Sequence, residues 1–210
     1  MHLYHLNDVV LAIKGNAQNF LKGLSSNSLE SPQNAFLNQH GRIITTFYQH
    51  KVTDDEFLIA VPPTVVENLL KHLERYAKLN RTQIQSTPLK AYMDLDTTEV
   101  LFKNEGVSSQ VSDEEFTFFR LGKGLPMLGV DYHTDEFILN IDEGTYVSYT
   151  KGCFLGQEPV AKVHNRSKPT WKLTVKFQDE CSPEEKTRMT SKVLDPKTGR
   201  TKGFIFVHNT

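Results

Sequence analysis

The sequence from 151 to 158 reads Lys151-Gly152-Cys153-Phe154-Leu155-Gly156-Gln157-Glu158. It combines a thiol, two glycines, a carboxamide and a carboxylate, and Pro159 follows directly. Gly152 and Gly156 allow the backbone to turn sharply or to approach a ligand closely. Because proline is well tolerated in the first turn of a helix, the pattern predicts a helix that begins near Gly156. Cys153 would then lie just ahead of the helix N-terminus.

The position of Cys153 leaves two interpretations open. The positive end of the helix dipole and the ammonium group of Lys151 or Lys162 would favour the thiolate, which is the reactive form of cysteine. Alternatively, Cys153 is a small buried residue between two turn glycines, since free cysteine is commonly buried and inert. On the local residues alone, the two interpretations have about equal support.

Length and composition limit what surrounds this stretch. The chain has 210 residues, of which 38% are hydrophobic and 23% are charged. Typical domains contain about 100–200 residues, so we expect one main core and a smaller satellite. The net charge of -1 excludes a globally basic protein that binds DNA non-specifically.

The cysteines and the N-terminus bear on the cellular compartment of the protein. Cys153 and Cys181 lie far apart, and neither has metal-ligand spacing, so we expect no metal site and free thiols in a reducing environment. The N-terminus lacks the pattern of a signal peptide. No apolar run approaches the roughly 20 residues that span a bilayer. We therefore expect a cytoplasmic protein without a membrane partner.

Apolar runs in the first half of the chain predict antiparallel strands. The run from Val9 to Ile13 is too short for a helix and suits a buried strand. Turn signatures at 39–41 and 54–55 separate three further strands. These are expected at 34–38, 42–52 and 57–61. Weaker strand patterns follow at 82–86, 89–95 and 100–102.

Helix signals lie between these strands. Asn16 is expected to cap a short helix that ends at Gly23. A capping box at 64–67 precedes the clearest amphipathic helix of the chain. A second capping box, at Ser112, starts a helix that Gly122 would end.

The hydrophobic pattern changes after residue 167. Apolar and polar residues alternate from Trp171 to Phe177, which indicates a half-buried strand, and a hairpin is expected near the C-terminus. We place a domain boundary near Ser167-Lys168-Pro169. The predicted parts are 1–166 and 167–210.

The stretch around Cys153 resembles the signature K-G-C-[FY]-x-G-Q-E-x-x-x-R of the YgfZ-like family, with Lys162 in place of the arginine. Three other segments are similar to motifs of this family and occur in the same order. They are Phe20–Asn27, similar to F-L-Q-G-x-x-[ST]-N, Phe36–Arg42, similar to F-L-N-x-x-G-[RK], and Arg120–Pro126, similar to R-x-x-A-G-x-P. The resemblance extends to about Lys168.

The YgfZ-like family belongs to the glycine cleavage T-protein-like superfamily. The resemblance implies an α+β fold of antiparallel sheets with flanking helices, with a folate-binding-type domain at 1–166 and a truncated, β-barrel-like subdomain at 167–210. It also implies a role in assembly or repair of iron–sulfur clusters that depends on Cys153. Tetrahydrofolate or a folate derivative would be the cofactor, and iron–sulfur client or assembly proteins would be the partners.

Two departures from the superfamily pattern bear on activity. Aminomethyl-transferring relatives place a carboxylate after the hairpin glycines, where this chain has Thr45-Thr46, so proton transfer at a folate amine lacks its expected residue. Gly122 stands where the family often carries a glutamate that pairs with the pterin. We therefore expect no complete catalytic constellation.

The predicted site consists of Cys153, as the catalytic residue, and of candidate cofactor-binding residues. Asp131 and Glu158 are carboxylates that could face a pterin, and Lys162 could meet an anionic tail. Lys172 and Lys176 fall on the polar phase of the strand predicted at 171–177, so they are expected to form a solvated face. A tRNA partner is therefore not expected. The candidate cofactor-binding residues are Arg42, Asp131, Lys151, Gln157, Glu158 and Lys162.

Three hypotheses on function remain open. The first is an accessory protein of iron–sulfur assembly or repair, in which Cys153 acts as a transient thiolate in a folate-site-like cavity. A stable cluster on this chain alone is not expected, since clusters usually take several thiolates and only two are present. The second is a folate-dependent aminomethyltransferase. The third is a ligand-free interaction domain that retains the fold.

Overall fold

The computed structural model describes residues 2–104, 106 and 110–209. At its centre lies a five-stranded antiparallel sheet. Its strands are β2 (Val9–Lys14), β3 (Gln33–Leu37), β4 (Ile43–Thr53), β5 (Glu56–Val61) and β6 (Gln83–Ser86). They pair in the order β3-β4-β5-β2-β6.

Two three-stranded antiparallel sheets complete the β structure. One contains β1 (Leu3–Leu6), β7 (Lys90–Asp94) and β8 (Val100–Lys103) in the order β1-β7-β8. The other, at the C-terminal end, contains β9 (Trp171–Phe177), β10 (Thr190–Asp195) and β11 (Arg200–His208) in the order β10-β11-β9.

The α-helices flank these sheets. They are α1 (Ala17–Leu24), α2 (Val66–Asn80), α3 (Asp113–Lys123), α4 (Glu143–Tyr146), α5 (Gln157–Arg166) and α6 (Pro183–Arg188). The predicted fold class is therefore confirmed. The strands predicted in the first half of the chain form within one or two residues of their expected bounds. The boundary predicted near 167–169 falls between α5 and β9.

The ends of three helices differ from the prediction. Asn16 precedes α1 with a φ of 48° and makes no side-chain cap, and α1 continues past Gly23 to Leu24. The capping box at 64–67 does not form, because a 3-10 turn at Pro63–Val65 leads into α2 and leaves its N-terminus without a side-chain cap. The helix α3 continues past Gly122 to Lys123. Its C-cap is Gly124, which has a φ of 66°, a conformation that glycine adopts without strain.

The five-stranded sheet is buried on both faces, which explains the continuous apolar run at 9–13. Leu11 and Ile13 of β2 belong to the main core together with α1 and α2. Val10 and Ala12 point to the opposite face, where they join a second cluster with β7 and α3. The sheet thus separates a helical layer from the small sheet that contains β1, β7 and β8.

Arg120 of α3 and Asp131 form a buried ion pair, with 2.7 Å between Nη1 and Oδ2 and with side chains that are 4% and 0% exposed. Asp131 Oδ2 also accepts from the backbone N–H of Met127 at 2.8 Å. Asp131 Oδ1 accepts from the hydroxyls of Thr190 at 2.8 Å and Ser191 at 2.5 Å. Because Thr190 and Ser191 belong to β10, this carboxylate joins α3 and the loop after it to the C-terminal sheet.

Removal of this carboxylate is expected to destabilise the whole protein. Asp131→Ala leaves the Arg120 guanidinium buried without its counter-ion, which costs about 3–5 kcal/mol. Glu74→Ala is the control, because it breaks only the exposed Lys78–Glu74 pair of α2, and exposed ion pairs contribute little to stability. Urea denaturation measures both free energies of unfolding. Similar values for the two variants would contradict the role of Asp131.

Candidate functional site

Gly156 positions the cysteine segment. It is the N-cap of α5, as the sequence predicts, and its φ is 84°, a left-handed conformation that L side chains rarely adopt. A Cβ at this position would collide with the carbonyl oxygen of Asn38 and would lie 3.3 Å from the amide nitrogen of Gly41. The cysteine segment therefore packs directly on the turn between β3 and β4. Gly152, by contrast, faces open space.

Three of the sequence motifs meet at this place. The backbone N–H of Leu155 donates to the carbonyl oxygen of Gly23 in α1 at 3.1 Å, and Gly156 contacts the turn after β3. The segments 20–27, 36–42 and 151–158 are therefore in mutual contact although they are distant in sequence. Backbone contacts, and not only side chains, hold them together.

The two cysteines have opposite environments, since Cys153 is exposed and Cys181 is buried. Cys153 lies in an open cleft of about 500 Å³, which we call the outer cleft. Its lining includes Gln18, Lys22, Gly23, Lys51, Lys151 and Cys153. Cys181 packs with Met189 and Ile205 at the C-terminal sheet. The buried, inert environment thus belongs to Cys181 and not to Cys153.

The pKa values of two lysines of the outer cleft shift in opposite directions. Lys151 Nζ donates to the carbonyl oxygen of Ser25 and lies 5.3 Å from the centroid of the Phe154 ring. Burial lowers the pKa of Lys151 to about 8. Lys51 Nζ lies 2.8 Å from the Asp54 carboxylate, and this hydrogen bond raises the pKa of Lys51.

The outer cleft favours anions. Lys22 is its third lysine, and Glu30 is the one carboxylate among the described residues that line it. Glu30 lies at the limit of an ion pair, 4.0 Å from Lys51, and its side chain is 81% exposed. A cleft that is lined by charges of one sign concentrates ions of the opposite sign. The lysines would therefore attract an anionic ligand to the thiol of Cys153.

The structure brings only Cys153 and Lys151 of the predicted site together in the outer cleft. Gln157, Glu158 and Lys162 belong to α5 and are not part of the lining. The remaining two candidates also lie elsewhere. They are Arg42, whose Nη1 donates to the carbonyl oxygen of Asp135 at 2.6 Å, and Asp131, whose oxygens each accept two hydrogen bonds from protein donors.

A second, smaller pocket, which we call the Asp8 pocket, contains an acid that the sequence analysis missed. It measures about 40 Å³, and its polar lining residues are Asp8, Gln33, Thr46, Tyr48 and Tyr146. Thr46 is also hydrogen-bonded to the hydroxyl of Tyr132 at 2.6 Å. Asp8 carries no motif, and its one signal is its place directly before the apolar run at 9–13. Cys153 is not among the residues that line this cavity.

The described residues contain no group of three or more His, Cys, Asp or Glu side chains that could hold a metal ion. Within the same residues, no helix has the length and apolar character needed to cross a membrane.

The chain shares its fold with a solved aminomethyltransferase of the T-protein type. The glycine cleavage system aminomethyltransferase T from Bartonella henselae matches with a TM-score of 0.74 at 13% sequence identity, over 98% of this chain and 78% of that chain. At this identity the likeness shows the fold alone. No protein-family model and no curated protein matches the sequence. The T-protein-like fold implied by the sequence motifs is therefore confirmed.

Gly156 and Gly152 provide a matched pair of substitutions. Gly156→Ala places a Cβ against the carbonyl of Asn38 in a left-handed conformation, and we expect a loss of about 2–4 kcal/mol in the free energy of unfolding. In Gly152→Ala the added Cβ would face open space, so the free energy of unfolding should change by no more than about 0.5 kcal/mol. Chemical denaturation measures both. Equal losses would refute the packing role of Gly156.

Lys151 is expected to react with acylating reagents before Lys51 does. At about pH 7.5 an amine with a pKa near 8 is roughly one quarter neutral, whereas an ordinary lysine is about 0.1% neutral. Only the neutral amine is nucleophilic, so Lys151 should be acylated at least about 10-fold faster than Lys51 of the same cleft. Peptide mass spectrometry after brief treatment with an acetylating ester measures the two rates. Faster labelling of Lys51 would contradict the lowered pKa of Lys151.

Proposed function

We propose that this protein is an accessory factor in iron–sulfur cluster assembly or repair, in which Cys153 transiently binds a sulfur species, a cluster or a partner protein. One observation carries the proposal. Cys153 is exposed in a lysine-lined cleft, on a segment that two other motif segments hold by backbone contacts. All three segments resemble motifs of the YgfZ-like family.

The chemistry of the outer cleft suits an anionic sulfur compound. Thiolate-ligated clusters and persulfides carry negative charge, and Lys22, Lys51 and Lys151 surround the space in front of Cys153. A single accessible thiol provides one ligand, whereas clusters usually take several. The remaining ligands would come from the partner, so the proposed partners are iron–sulfur client or assembly proteins, and the binding to Cys153 is transient.

Tetrahydrofolate, or a derivative of it, is a candidate ligand of the outer cleft and not of the Asp8 pocket. Ligands of this size occupy pockets of roughly 300–1,000 Å³. The Asp8 pocket, with about 40 Å³, is too small for a pterin ring. The outer cleft of about 500 Å³ has sufficient volume, and its lysines could pair with the carboxylates of a folate tail. No step of the proposed function depends on folate.

Aminomethyl transfer is the less favoured alternative. Thr46 occupies the position where such enzymes carry a carboxylate, and its hydroxyl is engaged by Tyr132. The third possibility, an interaction domain without a ligand, would leave an exposed thiol beside three lysines unexplained.

The proposal predicts that function depends on Cys153 and not on Cys181. In cells that lack the endogenous protein, Cys153→Ser should abolish restoration of an iron–sulfur enzyme's activity, whereas Cys181→Ser should retain it. Iodoacetamide should label Cys153 at least about 10-fold faster than Cys181, because a buried thiol reacts slowly. Matched expression levels of the two variants exclude a folding effect.

Full restoration by Cys153→Ser would overturn the proposal. Turnover of an aminomethyl substrate with tetrahydrofolate would favour the transferase instead. Calorimetry with tetrahydrofolate tests folate binding separately from the role of Cys153. Loss of that binding in Lys22→Ala and Lys51→Ala would indicate that folate binds in the outer cleft. A protein that binds no folate and needs no thiol would be an interaction domain.

A further inference from the structure

Two lysines of the outer cleft supply its positive charge. Lys51 Nζ lies 2.8 Å from the carboxylate of Asp54, and their hydrogen bond raises the pKa of Lys51. The same hydrogen bond, and to a smaller extent the charge of Lys22, lower the pKa of Asp54. Lys51 therefore stays an ammonium group at neutral pH, and Lys22, which is exposed, adds a second positive charge.

The third lysine of the cleft, Lys151, has neutral contacts instead. Its Nζ donates to the carbonyl oxygen of Ser25 and lies 5.3 Å from the centroid of the Phe154 ring. Ser25 and Phe154 are buried, whereas Lys151 is partly exposed and lines the outer cleft. In its neutral form this amine gives one N–H to the carbonyl and keeps its lone pair for a molecule in the cleft.

Burial makes the amine of Lys151 a nucleophile. Desolvation lowers the pKa of Lys151 to about 8, and lysines that are desolvated in this way form imines with carbonyl compounds. The Phe154 ring attracts the ammonium form, but the direction of the pKa shift means that desolvation outweighs this attraction. The cleft thus combines one nucleophilic amine with two cations.

These two features together select a class of ligand. The cations favour a molecule with a carboxylate or a phosphate group, and the amine favours a molecule with an electrophilic carbonyl carbon. An anionic aldehyde meets both conditions, whereas a neutral aldehyde or a simple carboxylate meets only one. The volume of about 500 Å³ is sufficient, since pockets for drug-sized ligands measure about 300–1,000 Å³.

We propose that the outer cleft captures small anionic aldehydes, which form an imine with the amine of Lys151 while Lys22 and Lys51 hold the anionic group. The amine nitrogen bonds to the carbonyl carbon, and the carbonyl oxygen leaves as water with the two amine hydrogens. The step needs no oxidant or reductant, and hydrolysis of the imine releases the aldehyde. The proposal goes beyond the function proposed for Cys153 and does not rest on it.

The test is reductive trapping of the imine on the intact chain. The protein is treated with cyanoborohydride and either glyoxylate, which carries a carboxylate, or acetaldehyde, which is neutral. Mass spectrometry measures carboxymethyl-lysine and ethyl-lysine at each position. At about pH 7.5, glyoxylate should label Lys151 at least about 10-fold more than Lys51. Pyridoxal 5′-phosphate replaces the carboxylate by a phosphate. Of the two anionic aldehydes, the one that saturates Lys151 at the lower concentration identifies the preferred anion.

The ratio of glyoxylate labelling to acetaldehyde labelling separates capture of the anion from the reactivity of the amine. At Lys151 this ratio should exceed the ratio at Lys71, an exposed lysine of α2 outside the cleft, by at least about 5-fold. The double variant Lys22→Gln/Lys51→Gln should lower the ratio at Lys151 by at least about 3-fold. Acetaldehyde labelling of Lys151 in this variant reports that the site is still folded and accessible. Lys71→Gln is the matched control and should leave the ratio at Lys151 unchanged.

Three results would overturn the proposal. They are labelling of Lys151 that does not exceed that of Lys51, equal ratios at Lys151 and Lys71, and an unchanged ratio in the double variant. The first would remove Lys151 as the nucleophile, and the other two would show that the cleft does not select anions. All three concern Lys151 alone, so they are distinct from the restoration experiment with Cys153→Ser.

Discussion

Asp131 carries a negative charge into the interior, and the arrangement of the chain around it follows from the need to compensate that charge. Arg120 supplies the counter-ion, the loop after α3 supplies a backbone N–H at Met127, and β10 supplies two hydroxyls. Because a buried charge without partners is strongly unfavourable, these three elements are held to one another. The small C-terminal sheet is thereby joined to the body of the protein through a polar contact in addition to apolar packing.

The two candidate sites differ in the sign of their electrostatics. Lysines line the outer cleft and surround an exposed thiol, whereas the Asp8 pocket is lined by hydroxyls, one amide and one desolvated carboxylate. The outer cleft therefore favours an anionic ligand, and the Asp8 pocket does not. A pterin ring exceeds the volume of the Asp8 pocket, so a T-protein-like fold does not by itself imply folate chemistry there.

The motif around Cys153 predicts the start of a helix but not the contacts that require a glycine there. It places a glycine at the start of a helix, and Gly156 does cap α5. It does not reveal that Gly156 must be glycine because the carbonyl of Asn38 occupies the space of a side chain. Likewise, the pattern at 64–67 satisfies the local rule for a capping box, but Pro63 begins a 3-10 turn and the helix starts later. Local rules describe which structures are favourable, and neighbouring elements select among them.

Hydrophobic periodicity and turn residues were sufficient to predict the strands β2 to β8 and the amphipathic helix α2, because these depend on local backbone preference and on which faces must be buried. The T-protein-like fold was implied by the resemblance of four motifs, and their order, to those of a known family. The tertiary structure alone decided the environments of the functional groups. It exposed Cys153 and buried Cys181, it enclosed Asp131 in an ion pair, and it placed Asp8 beside Thr46 in one cavity. Those outcomes depend on contacts between residues far apart in the chain, and no periodicity or spacing within one segment encodes them.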